Sequence, residues 1–516
     1  MSWFWFRFHI KGAQEVFPSK TTIRKGREMQ IERSGITVSN GLGLMFLTRD
    51  ERDTLHHGAC HILKHTGVLV ENEEAADRFK GAGACVTRSG QHWVVKIPEW
   101  LVTESIASTP KSVTYYARDP QKDFLLENNR VGFGTFGEQV NIIDPFTRRY
   151  RNSTKHDCCE VYRLIDALEE MAFCQRTLCP GDQLPAAQAV HNFQALISHN
   201  SKHITIGMVS RPCVEVIVQM AAAAVGGMDK LRQRPICTCS CCVTSPLTLS
   251  AQFCETLMAA VEAGINVDVM TMALAGGTGP VTLAGTIVQT VAELLGGLVL
   301  AQITRKGVNV TLGSCSTIMD LKTGLASTGA PEWGLVGAAL AQMSNDYRIP
   351  CRVGAGVSDS KLPDAQAAYQ FTLNALPLSL AGAHMIFGAG GIDSGLAFDY
   401  AKLIMDHECI RHIRKLLGGV RVDGEAMALD LIHEIGPGGT FLTHRHTLER
   451  IRTQSTAGLF DRQTRDAWME TTTGKDLTER AYARAMEILK THRAPALADG
   501  VAETIDGLLR DFEAGL

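Results

Sequence analysis

The stretch Gly354-Ala-Gly-Val-Ser-Asp-Ser-Lys-Leu-Pro-Asp-Ala-Gln366 follows a short apolar run, 349–353, and precedes an amphipathic segment, 365–380. Small residues such as Gly354 and Gly356 let a ligand approach the backbone. Asp359, Lys361 and Asp364 then crowd opposite charges into a few positions. A strand that ends in small residues and then charge is how a β/α protein places chemistry at the carboxyl ends of its sheet. Similar ends recur. The run 308–313 is followed by Asp320 and Lys322, and Gly329-Ala-Pro-Glu332-Trp333 then opens a helix. A run beginning at His384 ends in Phe387-Gly-Ala-Gly-Gly-Ile-Asp393, and Gly276-Gly-Thr-Gly-Pro280 follows an earlier one. Asp364 and Glu332 each sit where a first-turn acid also favours the helix dipole. Their repetition after successive strands points to one rim carrying the chemistry.

Other constellations carry less. Gly132-Phe-Gly134-Thr-Phe-Gly137 matches G-x-G-x-x-G, but the following 138–144 reads as a strand, so a hairpin is expected rather than a dinucleotide site. Cys237, Cys239 and Cys241 share one face of a strand. Strand neighbours on one face stand about 7 Å apart, too far for adjacent ligands of one ion, so buried small residues are the favoured reading over zinc. His57, His61 and His65 lie at helical spacing and read as a polar stripe. His407-Glu-Cys-Ile-Arg-His412 misses H-E-x-x-H by one residue. His444-Arg-His446 reads as surface or cap chemistry, with a loop role over the active site as the sharper alternative. No metal site is expected.

The elements that must position the rim form a regular series. Apolar runs at 171–178, 203–209, 236–243, 267–273, 308–313, 350–354 and 384–388 alternate with helix-period segments at 184–198, 212–225, 248–263, 282–304, 332–347, 365–380 and 396–416. Seven such units predict a parallel sheet with right-handed crossovers. The number of units favours an α/β fold of the TIM (β/α)8 barrel type over a doubly wound sheet. The eighth strand is expected either at 430–442 or from the N-terminal part. The organisation read from the chain is an irregular extension at 1–45, a small α+β region at 46–150, a barrel core at 151–420 and a mainly helical cap or oligomerisation region at 421–516.

Composition excludes some classes. The chain has 516 residues, 45% hydrophobic and 20% charged, with a net charge of −3. That balance gives no polyanion-binding surface. Fifteen cysteines are spread over this length without a secretory h-region, so a cytoplasmic location with reduced thiols is expected. The run 281–303 carries one charge, Glu293, and is long enough to cross a bilayer. Its Thr and Gln residues favour a buried barrel helix instead.

Several separated motifs, in order, resemble the trimethylamine methyltransferase superfamily. They are Ser316-Thr-Ile-Met-Asp-Leu-Lys-Thr-Gly324, Gly329-Ala-Pro-Glu332, Ser358-Asp-Ser-Lys361 with Asp364-Ala-Gln366, and Gly436-Pro-Gly-Gly-Thr-Phe-Leu-Thr-His444. Leu47-Thr-Arg-Asp-Glu51, His61-Ile-Leu, Gly67-Val, Ile97-Pro98 and 115–120 fit as well, so the resemblance covers 46–516. It implies a TIM barrel that moves a methyl group from a methylamine to the cobalt of a corrinoid protein. Trimethylamine members carry pyrrolysine near the strand tip represented here by 350–356, and this sequence holds only ordinary residues there. Members without it look like quaternary-amine enzymes, glycine betaine being the best-known substrate.

The chemistry supplies a separate reason. A quaternary ammonium leaves as a neutral tertiary amine and needs no acid, whereas a free tertiary amine must first be activated. Such a site has to hold a cation and align a methyl group for in-line attack. Asp359, Glu332 and Asp320 are the expected catalytic residues. Trp333, Phe387, Lys361, His384, Gly356 and Lys322 are the expected substrate-binding ones. No D-x-H-x-x-G cobalamin signature occurs, so the corrinoid is expected on a separate partner protein, with none tightly bound to this chain. A homo-oligomer is expected. Two rival classes are a Schiff-base lyase or aldolase with Lys361 as nucleophile, and a non-catalytic quaternary-amine binder.

Overall fold

The computed structural model describes residues 39–40, 43–456 and 458–516. Most of the expected 1–45 extension lies outside them. Eight parallel strands form the barrel: β1 (Arg130–Thr135), β2 (Phe173–Gln175), β3 (His203–Gly207), β4 (Cys237–Cys242), β5 (Asn266–Thr271), β6 (Val310–Ser314), β7 (Cys351–Gly354) and β8 (Met385–Ala389). Each pairs with the next, β8 returns to pair with β1, and a parallel bridge between Phe133 and Met171 closes β1 onto β2. Helices α1 (Lys155–Ala167), α2 (Gln188–His199), α3 (Arg211–Val225), α4 (Ala251–Ala263), α5 (Leu283–Thr304), α6 (Pro331–Tyr347), α7 (Ala365–Leu380) and α8 (Tyr400–Leu417) follow the strands in turn. This is the (β/α)8 architecture expected from the sequence.

The strand missing from the sequence reading is β1, and it comes from the N-terminal side. The glycine motif read as a hairpin is this barrel strand. A Cβ on Gly132 would meet the Phe124 ring, and one on Gly134 would collide with Phe173. The glycines therefore make room for aromatic rings inside the barrel. Phe124 belongs to a two-stranded hairpin, Val113–Tyr115 with Phe124–Leu126, which packs with Phe173, Met270, Met385 and Phe387 as a second core inside the barrel. The first strand thus lies within the segment read as a separate α+β region.

Alternation along β4 sorts its side chains. Thr238 and Ser240 face inward, bonded to His203 and Asp268. Cys237, Cys239 and Cys241 face the helices, with Cys241 against Thr256 of α4. Burial pushes the Cys237 thiol up to about 12, the contact with Cys241 together with burial raises that of Cys239, and no group of three or more His, Cys, Asp or Glu among the described residues is placed to hold a metal.

Helix α5 is the one helix among the described residues long and apolar enough to cross a membrane, and it is mostly buried. Its Glu293 is fully buried and saturated. It accepts from Ser245 Oγ at 2.7 Å, Leu247 N at 2.9 Å and Gln289 Nε2 at 2.9 Å, and also from Thr271. A buried charge with every lone pair occupied belongs to a packed interior.

The expected C-terminal helical region divides. Residues 420–448 belong to a compact unit distinct from the one that holds the barrel, with short helices Gly424–Met427 and Leu429–Ile435. His444 pairs within it to Glu434 at 3.6 Å. Residues 449–516 belong with the barrel. Tyr482 on the helix Leu477–Thr491 donates to buried Asp399, and Glu513 on the last helix meets His191 of α2 at 2.8 Å.

Candidate functional site

The charged rim expected from the sequence is a set of structural clamps. Asp359 accepts from Thr328 N at 3.0 Å, Thr328 Oγ1 at 3.1 Å, Ser327 Oγ at 3.3 Å and Ser394 Oγ at 2.9 Å. Its carboxylate joins the loops that follow β6, β7 and β8. Asp359→Ala removes the acceptor for all four donors and is expected to lower unfolding stability by about 2–4 kcal/mol, read from a denaturant midpoint. A shift below about 0.5 kcal/mol would show that the clamp does not hold the loops.

The other predicted residues scatter. Asp320 accepts from Lys322 N at 2.8 Å within a turn, and this bond holds its carboxyl below the usual range. Lys322 is exposed, and Lys361 lies on the surface with Nζ on Asp359 O at 2.7 Å and 3.5 Å from Asp393. Asp364 caps α7 through Ala367 N. Glu332 is half-buried in the first turn of α6. Trp333 is 1% exposed, pressed where a Cβ on Gly354 would be, and its ring is covered. Gly356 has φ +99°, a Cβ there would meet Phe371, and its carbonyl accepts from the buried Lys402 ammonium at 3.0 Å. Its role is backbone geometry.

His384 requires a correction. It precedes β8 and so stands at the N-terminal end of the barrel, opposite the expected rim. There it borders a cavity of about 650 Å³ with Asn128, Asn345 and Arg348. Its Nδ1 accepts from Cys351 N at 3.3 Å, and burial pushes the imidazole down to about 4. Phe387, by contrast, does point into the barrel. Its ring stacks on Phe136 at 6.0 Å and lies 4.8 Å from the Arg352 guanidinium.

Residues that the sequence reading passed over gather at the carboxyl ends of the strands. Glu138, just past β1, leans over the end of β3, so a Cβ on Gly207 would stand 3.2 Å from its Oε1. That oxygen is 2.7 Å from Nη1 of buried Arg176, which follows β2. Among the described residues nothing donates to Oε2, and the side chain keeps 36% of its exposure. Desolvation raises the carboxyl above its usual range, and Arg176 opposes the rise. Cys242 ends β4 and is exposed, yet burial pushes its thiol up to about 11. Cys315, past β6, is similar, with its thiol pushed up to about 12 by burial. Phe136, Met272 and Val209 lie past β1, β5 and β3 at the same end, the last two 40% exposed. Soft and apolar side chains thus gather at the carboxyl ends of the strands around the accessible Glu138 carboxylate.

A polar layer lies beneath them. Arg352 of β7 is 1% exposed and points inward, 3.3 Å from Asp268 of β5. Its Nη1 donates to Gln175 Oε1 at 3.2 Å and Thr205 Oγ1 at 3.1 Å. Asp268 also accepts from Tyr115 OH at 2.7 Å and Ser240 Oγ at 3.1 Å. An accessible carboxylate between apolar walls, above a buried ion pair, can hold a small cation and exclude water around it.

A profile of the family described as Trimethylamine methyltransferase (MTTB) matches residues 19–514. "Trimethylamine methyltransferase MttB" of Desulfitobacterium hafniense is 39% identical over 93% of this chain and 96% of its own length. "Glycine betaine methyltransferase" of a second Desulfitobacterium hafniense strain is 31% identical over 87% of this chain and 93% of its own. Among solved structures, the Methanosarcina barkeri monomethylamine methyltransferase matches at 11% identity and a TM-score of 0.48, covering 85% of this chain and 92% of that one. A family match over nearly the whole length, with relatives above 30% identity, settles the membership: the chain belongs to the trimethylamine methyltransferase family.

Proposed function

We propose that the protein is a methyltransferase that moves a methyl group from a quaternary amine, glycine betaine or a related betaine, to the Co(I) of a corrinoid carried on a separate protein. Relatives named for trimethylamine and glycine betaine support the methylated-amine class. The observation that carries the quaternary reading is Glu138, an accessible and desolvated carboxylate just past the end of β1.

The acceptor, Co(I), supplies the electron pair that forms the new bond to the methyl carbon. The carbon–nitrogen bond breaks, its pair stays on nitrogen, and a neutral tertiary amine leaves without a proton. The chain's tasks are therefore binding and alignment. Glu138 neutralises the cation, and Arg176 fixes the carboxylate by holding one of its oxygens. Phe136, Met272 and the thiols give the methyl groups apolar walls. A corrinoid-bearing partner would dock at the carboxyl ends of the strands.

The test mixes the full chain with reduced cobalamin and glycine betaine, proline betaine, carnitine, choline or trimethylamine, and follows methylcobalamin absorbance. Methyl transfer from at least one quaternary amine supports the reading. Silence across the panel, repeated with a cognate corrinoid protein, overturns it. The aldolase alternative needs a desolvated amine, whereas the Lys361 side chain is 68% exposed at the surface. Lys361→Ala is expected to leave methyl transfer within about twofold and stability within about 0.5 kcal/mol of the parent. A tenfold loss of turnover, or borohydride trapping of a carbonyl adduct, would favour the lyase.

A further inference from the structure

The geometry points to Arg352 as the anchor for a substrate carboxylate, so that a zwitterion binds carboxylate-down with its N-methyl groups toward the mouth. This deepens, and rests on, the methyl-transfer reading above.

Arg352 is almost wholly buried, and a buried guanidinium satisfies its N–H groups wherever it can. Nη1 serves Gln175 and Thr205, and Nε lies 3.3 Å from Asp268 in an ion pair but without a hydrogen bond. Among the described residues no acceptor meets Nη2. The charge of Asp268 is also shared, because Tyr115 and Ser240 draw on the same carboxylate. The Arg352 charge lies close to Cys242, which ends β4, and Cys315, which follows β6. The Phe387 ring lies 4.8 Å from its guanidinium. The carboxyl ends of the strands are the side from which a partner would reach Nη2, and a carboxylate is the group whose charge and geometry suit a guanidinium.

Depth fixes the orientation. Arg352 lies within β7, two residues before its end, whereas Glu138 lies three residues beyond the end of β1. A betaine spanning the two places its anion on the floor and its cation at the opening. A choline, a tetraalkylammonium or a betaine ester keeps the Glu138 contact and loses the floor.

Calorimetric binding to the full-length protein tests this without a variant. Glycine betaine is expected to bind about 30-fold more tightly than its methyl ester or choline. Equal affinities within threefold overturn the Arg352 assignment while leaving the methyl-transfer reading in place. If neither the betaine nor the ester binds or donates a methyl group, that reading falls and the inference with it. Arg352→Gln and Arg352→Lys give a second measurement. Loss of the betaine-to-ester preference in Arg352→Gln, with partial retention in Arg352→Lys, supports the anchor. An unchanged preference in a folded Arg352→Gln protein overturns it.

Discussion

Glu138→Gln is expected to lower kcat/KM for a quaternary ammonium donor by about 100-fold, with thermal stability nearly unchanged. The substitution keeps the shape and leaves an amide oxygen for Arg176, so the buried guanidinium is not stripped of its acceptor. Only the negative charge is lost. A carboxylate facing a cation between apolar walls is screened less than one in water, and removing one partner of such a pair typically costs 2–5 kcal/mol. About 2.7 kcal/mol corresponds to a hundredfold. The loss should fall mainly on KM, because the cation is held equally in the bound state and during transfer, while kcat changes through alignment alone. Steady-state methyl transfer and calorimetric affinity measure the two parts. A variant within threefold of the parent in both would remove Glu138 from the site and leave the cation to the aromatic walls.

The barrel was legible in the chain because seven of its strands are apolar runs followed by helix-period segments. The eighth was hidden for a physical reason. Its inward positions are Gly132 and Gly134, which yield their volume to Phe124 and Phe173, so it lacks the apolar run of the other seven and reads as a hairpin strand outside the barrel. The same misreading concealed Glu138, which looked like a residue of a hairpin. Arg352 was concealed differently. It sits in an apolar run, and nothing in the sequence shows that Gln175, Thr205 and Asp268 converge on it from three other strands. Asp359 misled in the opposite sense. Its partners Ser327, Thr328 and Ser394 come from loops far away in sequence and turn an apparent catalytic acid into a clamp. Local pattern identifies a strand end, but only the fold says whether a charge there is already satisfied.

Acidification from pH 7 to pH 4 is expected to unfold the barrel, and two buried histidines with the half-buried His407 are the main cause. His203 sits inside β3 with Nδ1 on Tyr116 O at 2.7 Å and Nε2 on Thr238 Oγ1 at 2.8 Å, stacked on Tyr115, and burial pushes it down to about 3. His384 is pushed down to about 4, and His407 to about 3 by burial amid Lys202, Arg411 and Arg414. Each folded value lies below the unfolded one, near 6.5. The stability these rings contribute is therefore fully present above pH 6.5 and is lost as the pH falls through the interval down to 3–4. Each is worth about 3–5 kcal/mol over that interval, at 1.36 kcal/mol per unit. Buried Asp406 works against them: desolvation raises it to about 6, so acidification from pH 6 favours the fold by about 3 kcal/mol. The balance still exceeds much of the 5–15 kcal/mol available to a folded domain. Denaturant midpoints taken at half-unit steps should be nearly flat from pH 8 to 6.5 and fall steeply below 6. His203→Gln should start from lower stability at pH 7 and show a shallower fall. A midpoint constant down to pH 4.5 would mean that these rings are not held neutral in the folded chain.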